Sequence, residues 1–77
     1  PDVAAPYNNI ALVYDHMGEY SKALGHYEKA LRIVEKSLPA NHPNVAMLYR
    51  SIGITFFHLK DFKTALSHLE KASTLYE

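Results

Sequence analysis

Apolar positions recur at spacings of three and four in four separate blocks of this chain, with polar and charged residues between them. That period puts the apolar side chains of each block on one face of an α-helix. In the first block the face is Val3, Tyr7, Ile10, Ala11, Tyr14 and Met17. Gly18 follows it, a residue suited to the left-handed conformation that closes a helix. The second block runs from about Tyr20 to Ser37, with Tyr20, Ala23, Leu24, Tyr27, Ala30, Leu31 and Val34 inward. Glu19, Lys22, His26, Lys29 and Arg32 lie mostly on its other side. The third block, Pro43 to about Leu59, packs through Val45, Tyr49, Ile52, Gly53 and Phe56. The fourth starts at Phe62 and turns Ala65, Leu66, Leu69, Ala72, Leu75 and Tyr76 inward. The pattern predicts helix, short turn, helix, twice over.

Punctuation residues refine the ends. Pro1 suits a first helical turn, whereas Pro6 removes a hydrogen bond, so the first helix either kinks there or starts near Ala5. Gly25 costs up to about 1 kcal/mol relative to alanine in a helix interior. Close packing is the expected reason for it, and an exposed, merely tolerated glycine is the alternative. The second helix must stop before Pro39, because the residue before a proline favours extended backbone. In the connector Leu38–Pro43, Asn41 or His42 caps the third helix and Pro43 enters its first turn. Asn41 is the better cap chemically. The second turn, Lys60–Asp61, lacks the glycine found in the first.

The two halves are copies. Superposing residues 1–35 on 43–77 needs no gap, and 13 of the 35 pairs are identical, among them Tyr7/Tyr49, Ile10/Ile52, His16/His58, His26/His68 and Ala30/Ala72. Two unrelated amphipathic hairpins share residue classes, not this many identities in register, so the chain is an internal repeat. Repeat one spans residues 1–42 and repeat two spans 43–77, within a single domain.

The first copy reads Tyr7, Ile10, Ala11, Tyr14, Ala23, Tyr27, Ala30, and the second Tyr49, Ile52, Gly53, Phe56, Ala65, Leu69, Ala72. This resembles the tetratricopeptide repeat, whose pattern sets small residues where paired helices approach and large aromatics beside them. The resemblance covers essentially the whole chain. It implies an all-α fold of two stacked helix-turn-helix hairpins, four helices in all, in a right-handed solenoid. Two features depart from the ordinary repeat: the period is 42 residues, not 34, and Glu35 and Glu77 replace the closing proline. Together with the EKSLPANHPNVA connector and the YNN start, they resemble the longer repeats of kinesin light chains and related scaffold proteins. A cytoplasmic protein is implied.

Composition narrows the function. Seventy-seven residues make at most one small domain, with no cysteine for a disulfide or a thiolate metal site. Eight basic and eight acidic residues balance, against nucleic-acid or membrane binding by bulk charge. No apolar run approaches the roughly 20 residues of a membrane span. The start at Pro1 and the end in mid-pattern at Glu77 predict a piece of a longer protein. Five histidines are the candidates for acid–base or metal chemistry. Equivalent histidines in stacked hairpins lie about two helix diameters of roughly 10 Å apart, too far for one metal, and no HExxH or acidic ligand cluster supports a site. The serines have no nucleophile-elbow motif, and no glycine-rich phosphate loop occurs. The tyrosines sit at packing positions and read as core. No enzyme, cofactor or metal is predicted.

What remains is surface. The resemblance implies that the first helix of each hairpin, helix A, lines a concave groove for extended peptides. The A-helix residues off the packing face are Ala5, Asn8, Leu12, Asp15 and His16 in copy one, and Met47, Arg50, Ile54, Phe57 and His58 in copy two. Asn9 and Ser51 border them. The peptide-binding set is Asn8, Leu12, Asp15, His16, Arg50, Ile54, Phe57 and His58. Asparagine bonds both polar groups of a peptide backbone, and Arg50 suits an acidic side chain or a terminal carboxylate. Ile54 and Phe57 either wall an apolar pocket or cover a following repeat. Kinesin-light-chain-like repeats recognise peptides with an aromatic among acidic residues, but Arg50 is the one cation placed on this face and Asp15 opposes such ligands, so that specificity is not carried over. The predicted function is a non-enzymatic interaction scaffold that binds an extended peptide or partner helix. The alternative is a purely structural pair of interior repeats that sets spacing or drives oligomerisation. Exposed repeat ends predict self-association.

Overall fold

The computed structural model describes residues 5–37 and 42–76. The expectations for Val3, Asn41, the proline-terminated end of the second helix and the side chains of Ala5, Leu75 and Tyr76 lie outside the described residues. Four helices follow in order: α1 Ala5–His16, α2 Tyr20–Ser37, α3 Pro43–His58 and α4 Phe62–Tyr76. Pro6 lies in the first turn of described α1.

Both hairpin turns close the same way. At the end of α1 the Gly18 amide donates to the Asp15 carbonyl (3.1 Å) and the Glu19 amide to the Tyr14 carbonyl (2.8 Å). At the end of α3 the Lys60 amide donates to the Phe57 carbonyl (2.9 Å) and the Asp61 amide to the Phe56 carbonyl (3.0 Å). These paired bonds form the Schellman closure, which requires a left-handed residue. Gly18 takes it at φ +80°, and Lys60 takes it at φ 66° despite its side chain. His42 caps α3: its backbone is extended, and its Nδ1 accepts from the Asn44 amide at 3.1 Å, which fixes the neutral ring with its proton on Nε2.

The helices pack in succession, α1 on α2, α2 on α3 and α3 on α4, in a body of 30 × 25 × 14 Å. The core is Ala11, Ala23, Tyr27, Ala30, Val34, Val45, Leu48 and Ile52, and Tyr7, Tyr14, Leu24, Leu31, Tyr49 and Phe56 pack around it. The repeated small residues are buried as the pattern predicts. Three inward assignments fail. Ile10, Met17 and Leu66 are all exposed, although Ile52, the counterpart of Ile10, is buried. Ile52 lies on α3, against which α2 packs. Among the described residues no hairpin precedes α1 to do the same. Gly25 has open space where a Cβ would sit, so packing is not its reason. Gly53 is the crowded glycine: there a Cβ would meet α4.

Candidate peptide-binding face

The junction between the hairpins decides which A-helix residues remain available. Polar bonds cross it at several points. Thr55 Oγ1, whose proton goes mainly to the Ser51 carbonyl of its own helix at 2.9 Å, reaches Asp15 Oδ1 across the junction at 3.5 Å. His58 Nδ1 lies 3.9 Å from Asp15 Oδ1, and its ring lies tilted at 35° against Tyr20 with centroids 5.1 Å apart. Tyr49 donates to Glu35 Oε2 at 2.9 Å. Burial first, and then this bond to the carboxylate, raise the Tyr49 hydroxyl above the ordinary tyrosine value. The Tyr27 hydroxyl is raised by burial and then by the Asp15 charge, partly offset by a hydrogen bond with Ser51.

Comparing equivalent positions sorts the eight predicted residues. Asn8 and Asp15 are half-buried where α3 follows α1, whereas their counterparts Arg50 and Phe57 are exposed. Asn8 and Asp15 therefore lie by the seam between the hairpins, and Arg50 and Phe57 hold the equivalent, exposed places on the second hairpin. Arg50 shares a shallow hollow with Leu69, Ala72 and Ser73 of α4, and Phe57 meets Phe62 edge-on at 5.5 Å. Leu12, His16 and His58 are exposed and Ile54 is half-buried, so these positions stay outward in both copies. Met47 is exposed beside them in the helical register. Leu12 and His16 line a shallow depression with Val13 and Met17. The structure thus joins Asp15 to His58 and Phe57 to His58, but it splits the predicted set into an outward strip, Asn8 and Asp15 at the seam, and Arg50 and Phe57 exposed beside α4.

The remaining histidines have structural places. His26 lies between the rings of Tyr7 and Tyr14, at 6.4 and 5.4 Å, and its Nδ1 is 3.0 Å from the Lys22 carbonyl. His68 lies between Tyr49 and Phe56, at 5.9 and 5.5 Å, with Nδ1 3.0 Å from the Thr64 carbonyl. A carbonyl only accepts, so Nδ1 carries the proton in both rings. Lys29 and Lys71 lie over Tyr7 and Tyr49 at 5.8 and 5.3 Å, repeating the same cation–π contact. Among the described residues no three His, Asp or Glu side chains converge as metal ligands do, and no helix is long and apolar enough to cross a membrane.

Sequence reasoning missed the polar ties across the junction. The signal was present in the paired substitutions: the bonded Asp15 and Thr55 have Phe57 and Val13 as their repeat counterparts.

Two tandem helical hairpins with matching turns, matching aromatic–histidine clamps and an α2–α3 junction define a helical repeat protein. The family model of the tetratricopeptide repeat matches residues 2–77, and the chain belongs to that family. Its repeats generally mediate protein–protein interactions. The comparison with curated proteins returned no match.

Proposed function

We propose that this chain is a non-enzymatic binding module that holds an extended peptide, or one face of a partner helix, along the A-helix side. The strip is Leu12, His16, Met47, Ile54 and His58, with Asn8 at the seam and Arg50 at the edge. One observation carries the reading: these outward positions keep apolar or imidazole side chains in both copies, where a solvated helix face has charged ones. Leu12, Met47 and Ile54 supply apolar area, Asn8 bonds the peptide backbone, and Arg50 pairs with a carboxylate. The 42-residue period and the long connector favour the kinesin-light-chain-like variety and a cytoplasmic scaffold. Arg50 is the one cation assigned to this face and the Asp15 carboxylate opposes acidic ligands, so acidic peptides are not assigned as a class.

The test is a displayed library of random peptides selected on the immobilised chain, followed by titration calorimetry of the best binder. The double substitution Asn8→Ala/Arg50→Ala is expected to weaken it at least about tenfold, the loss of roughly one charge-assisted hydrogen bond. Unchanged affinity overturns the assignment. The exposed apolar ends of the stack favour a second reading, in which the repeats serve as structural units. It wins if partner binding survives the double substitution but is abolished by truncating the stack.

A further inference from the structure

We infer that a cleft between α2 and α4 binds an arginine side chain of a partner protein. The cleft holds about 550 Å³ and is bounded by Glu35 near the end of α2, Val45 and Tyr49 of α3, and one side of α4. Ligand sites of this size form between packed helices and combine apolar walls with a few convergent polar groups. The opening belongs to the stack and not to an uncovered end of it. The α4 wall is Ser67, Glu70, Lys71 and Thr74. Their repeat counterparts Gly25, Glu28, Lys29 and Arg32 are all exposed on α2, although a whole hairpin follows α2. The cleft shares no residue with the peptide strip, and its occupant is a separate one.

The hydrogen-bonding capacity left open in the cleft decides the ligand. The Tyr49 hydroxyl gives its proton to Glu35 Oε2 at 2.9 Å, and the Thr74 hydroxyl gives its own to the Glu70 carbonyl at 3.0 Å. Lys71 holds its ammonium over the Tyr49 ring at 5.3 Å, as Lys29 does over Tyr7. Ser67 serves either as donor or as acceptor. The remaining capacity is that of acceptors, chiefly the Glu35 and Glu70 carboxylates, and among the described residues neither is in an ion pair. Two carboxylates against one ammonium make the lining net negative, so an anion is disfavoured. The Tyr49 bond also holds the Glu35 carboxylate in place before a ligand arrives. Val45 and the Tyr49 ring supply apolar wall for a methylene stem. The complement is a cation on an apolar stem with donors along more than one edge, able to reach carboxylates on two walls. Arginine has this planar fork, whereas the lysine ammonium is a more strongly hydrated point charge. Repeats of this family generally mediate protein–protein interactions, so the arginine is assigned to a protein partner.

Amide chemical-shift titration of the labelled chain with N-acetyl-arginine methylamide, at fixed ionic strength, tests it. Saturable shifts are expected at Glu35, Tyr49, Glu70 and Lys71. The lysine derivative is expected to bind more weakly, and the neutral citrulline derivative not at all. A short glycine–serine peptide with one central arginine is expected to bind at least as tightly as the arginine derivative. Glu35→Gln and Glu70→Gln sit at exposed positions and are expected to keep the helical circular dichroism. Each is expected to weaken the arginine derivative about two- to fivefold, as loss of an exposed ion pair does. Glu28→Gln, at the counterpart of Glu70 outside the cleft, is expected to leave the affinity unchanged. An equal loss from Glu28→Gln means that bulk charge attracts the probe, and it overturns the inference. So do equal binding of the citrulline derivative and the absence of saturable shifts at the cleft. A peptide that binds more weakly than the free derivative overturns the assignment to a protein partner.

Discussion

The Cβ that Gly53 lacks would lie 2.9 Å from Leu69 Cγ and 3.1 Å from the Ala65 carbonyl oxygen. α3 and α4 approach this closely because the position has no side chain. Alanine there gains up to about 1 kcal/mol of helix propensity. It also overpacks against a branched carbon and a backbone oxygen, which costs about 1–3 kcal/mol. Overpacking wins, because the carbonyl cannot yield without shifting α4. Gly53→Ala is expected to lower stability by about 1 kcal/mol, measured by urea unfolding; a stabilised variant contradicts this packing account.

Gly25 is the control. No atom outside its own helix neighbourhood lies within 4 Å of its ideal Cβ, so the propensity gain stands without a packing cost. Gly25→Ala is expected to stabilise the chain by up to about 1 kcal/mol. A loss in the same urea experiment would mean that something packs there.

The two closing turns differ in one residue. Lys60 holds a left-handed backbone at φ 66°, where a side chain costs about 1–2 kcal/mol, and glycine gives back about 0.5–1 kcal/mol of that in unfolded-chain entropy. Lys60→Gly is therefore expected to raise stability by about 0.5–1 kcal/mol. Gly18→Ala, at φ +80°, is expected to lower it. Thermal melts of the two variants should shift in opposite directions, and a shift of the same sign in both would contradict the closure described.

Tyr27 and Tyr49 hold their protons more tightly in the folded chain than in the unfolded one. The unfolded chain releases those protons first, above the ordinary tyrosine value of about 10. Their contribution is therefore complete below about pH 10 and is lost as pH rises through the folded values. Urea midpoints are expected to fall in that alkaline range. Tyr27→Phe/Tyr49→Phe is expected to flatten the fall while costing about 1 kcal/mol near neutral pH, where the Tyr49–Glu35 bond is lost. An alkaline slope equal to that of the unsubstituted chain would assign it elsewhere.

Much of the fold was legible because the repeat writes each hairpin twice. Ala23, Ala30, Ala65 and Ala72 were readable as buried, and the start of α2 at Tyr20 was readable, from spacing and identity alone. Ile10 and Leu66 were not, because a helical period reports which side of a helix is apolar, not whether a neighbour exists to cover it. The cap went to His42, where extended backbone immediately precedes the helical Pro43 and the ring nitrogen reaches the Asn44 amide. Cap preferences by residue type carry no such geometry. For the candidate site, the A-helix residues off the core were readable, but their division into strip and seam depended on the bonds from Asp15 to Thr55 and toward His58.

A peptide partner is expected to lie along the A-helix side. Amide chemical-shift mapping of the isotope-labelled chain with a library-selected peptide tests it most directly. The largest shifts are expected at Leu12, His16, Met47, Ile54 and His58, with Asn8 and Arg50 beside them and the outer residues of α2 and α4 unmoved. Shifts concentrated on Lys22, Lys29, Glu70 and Lys71, on the B-helix surface, would contradict it.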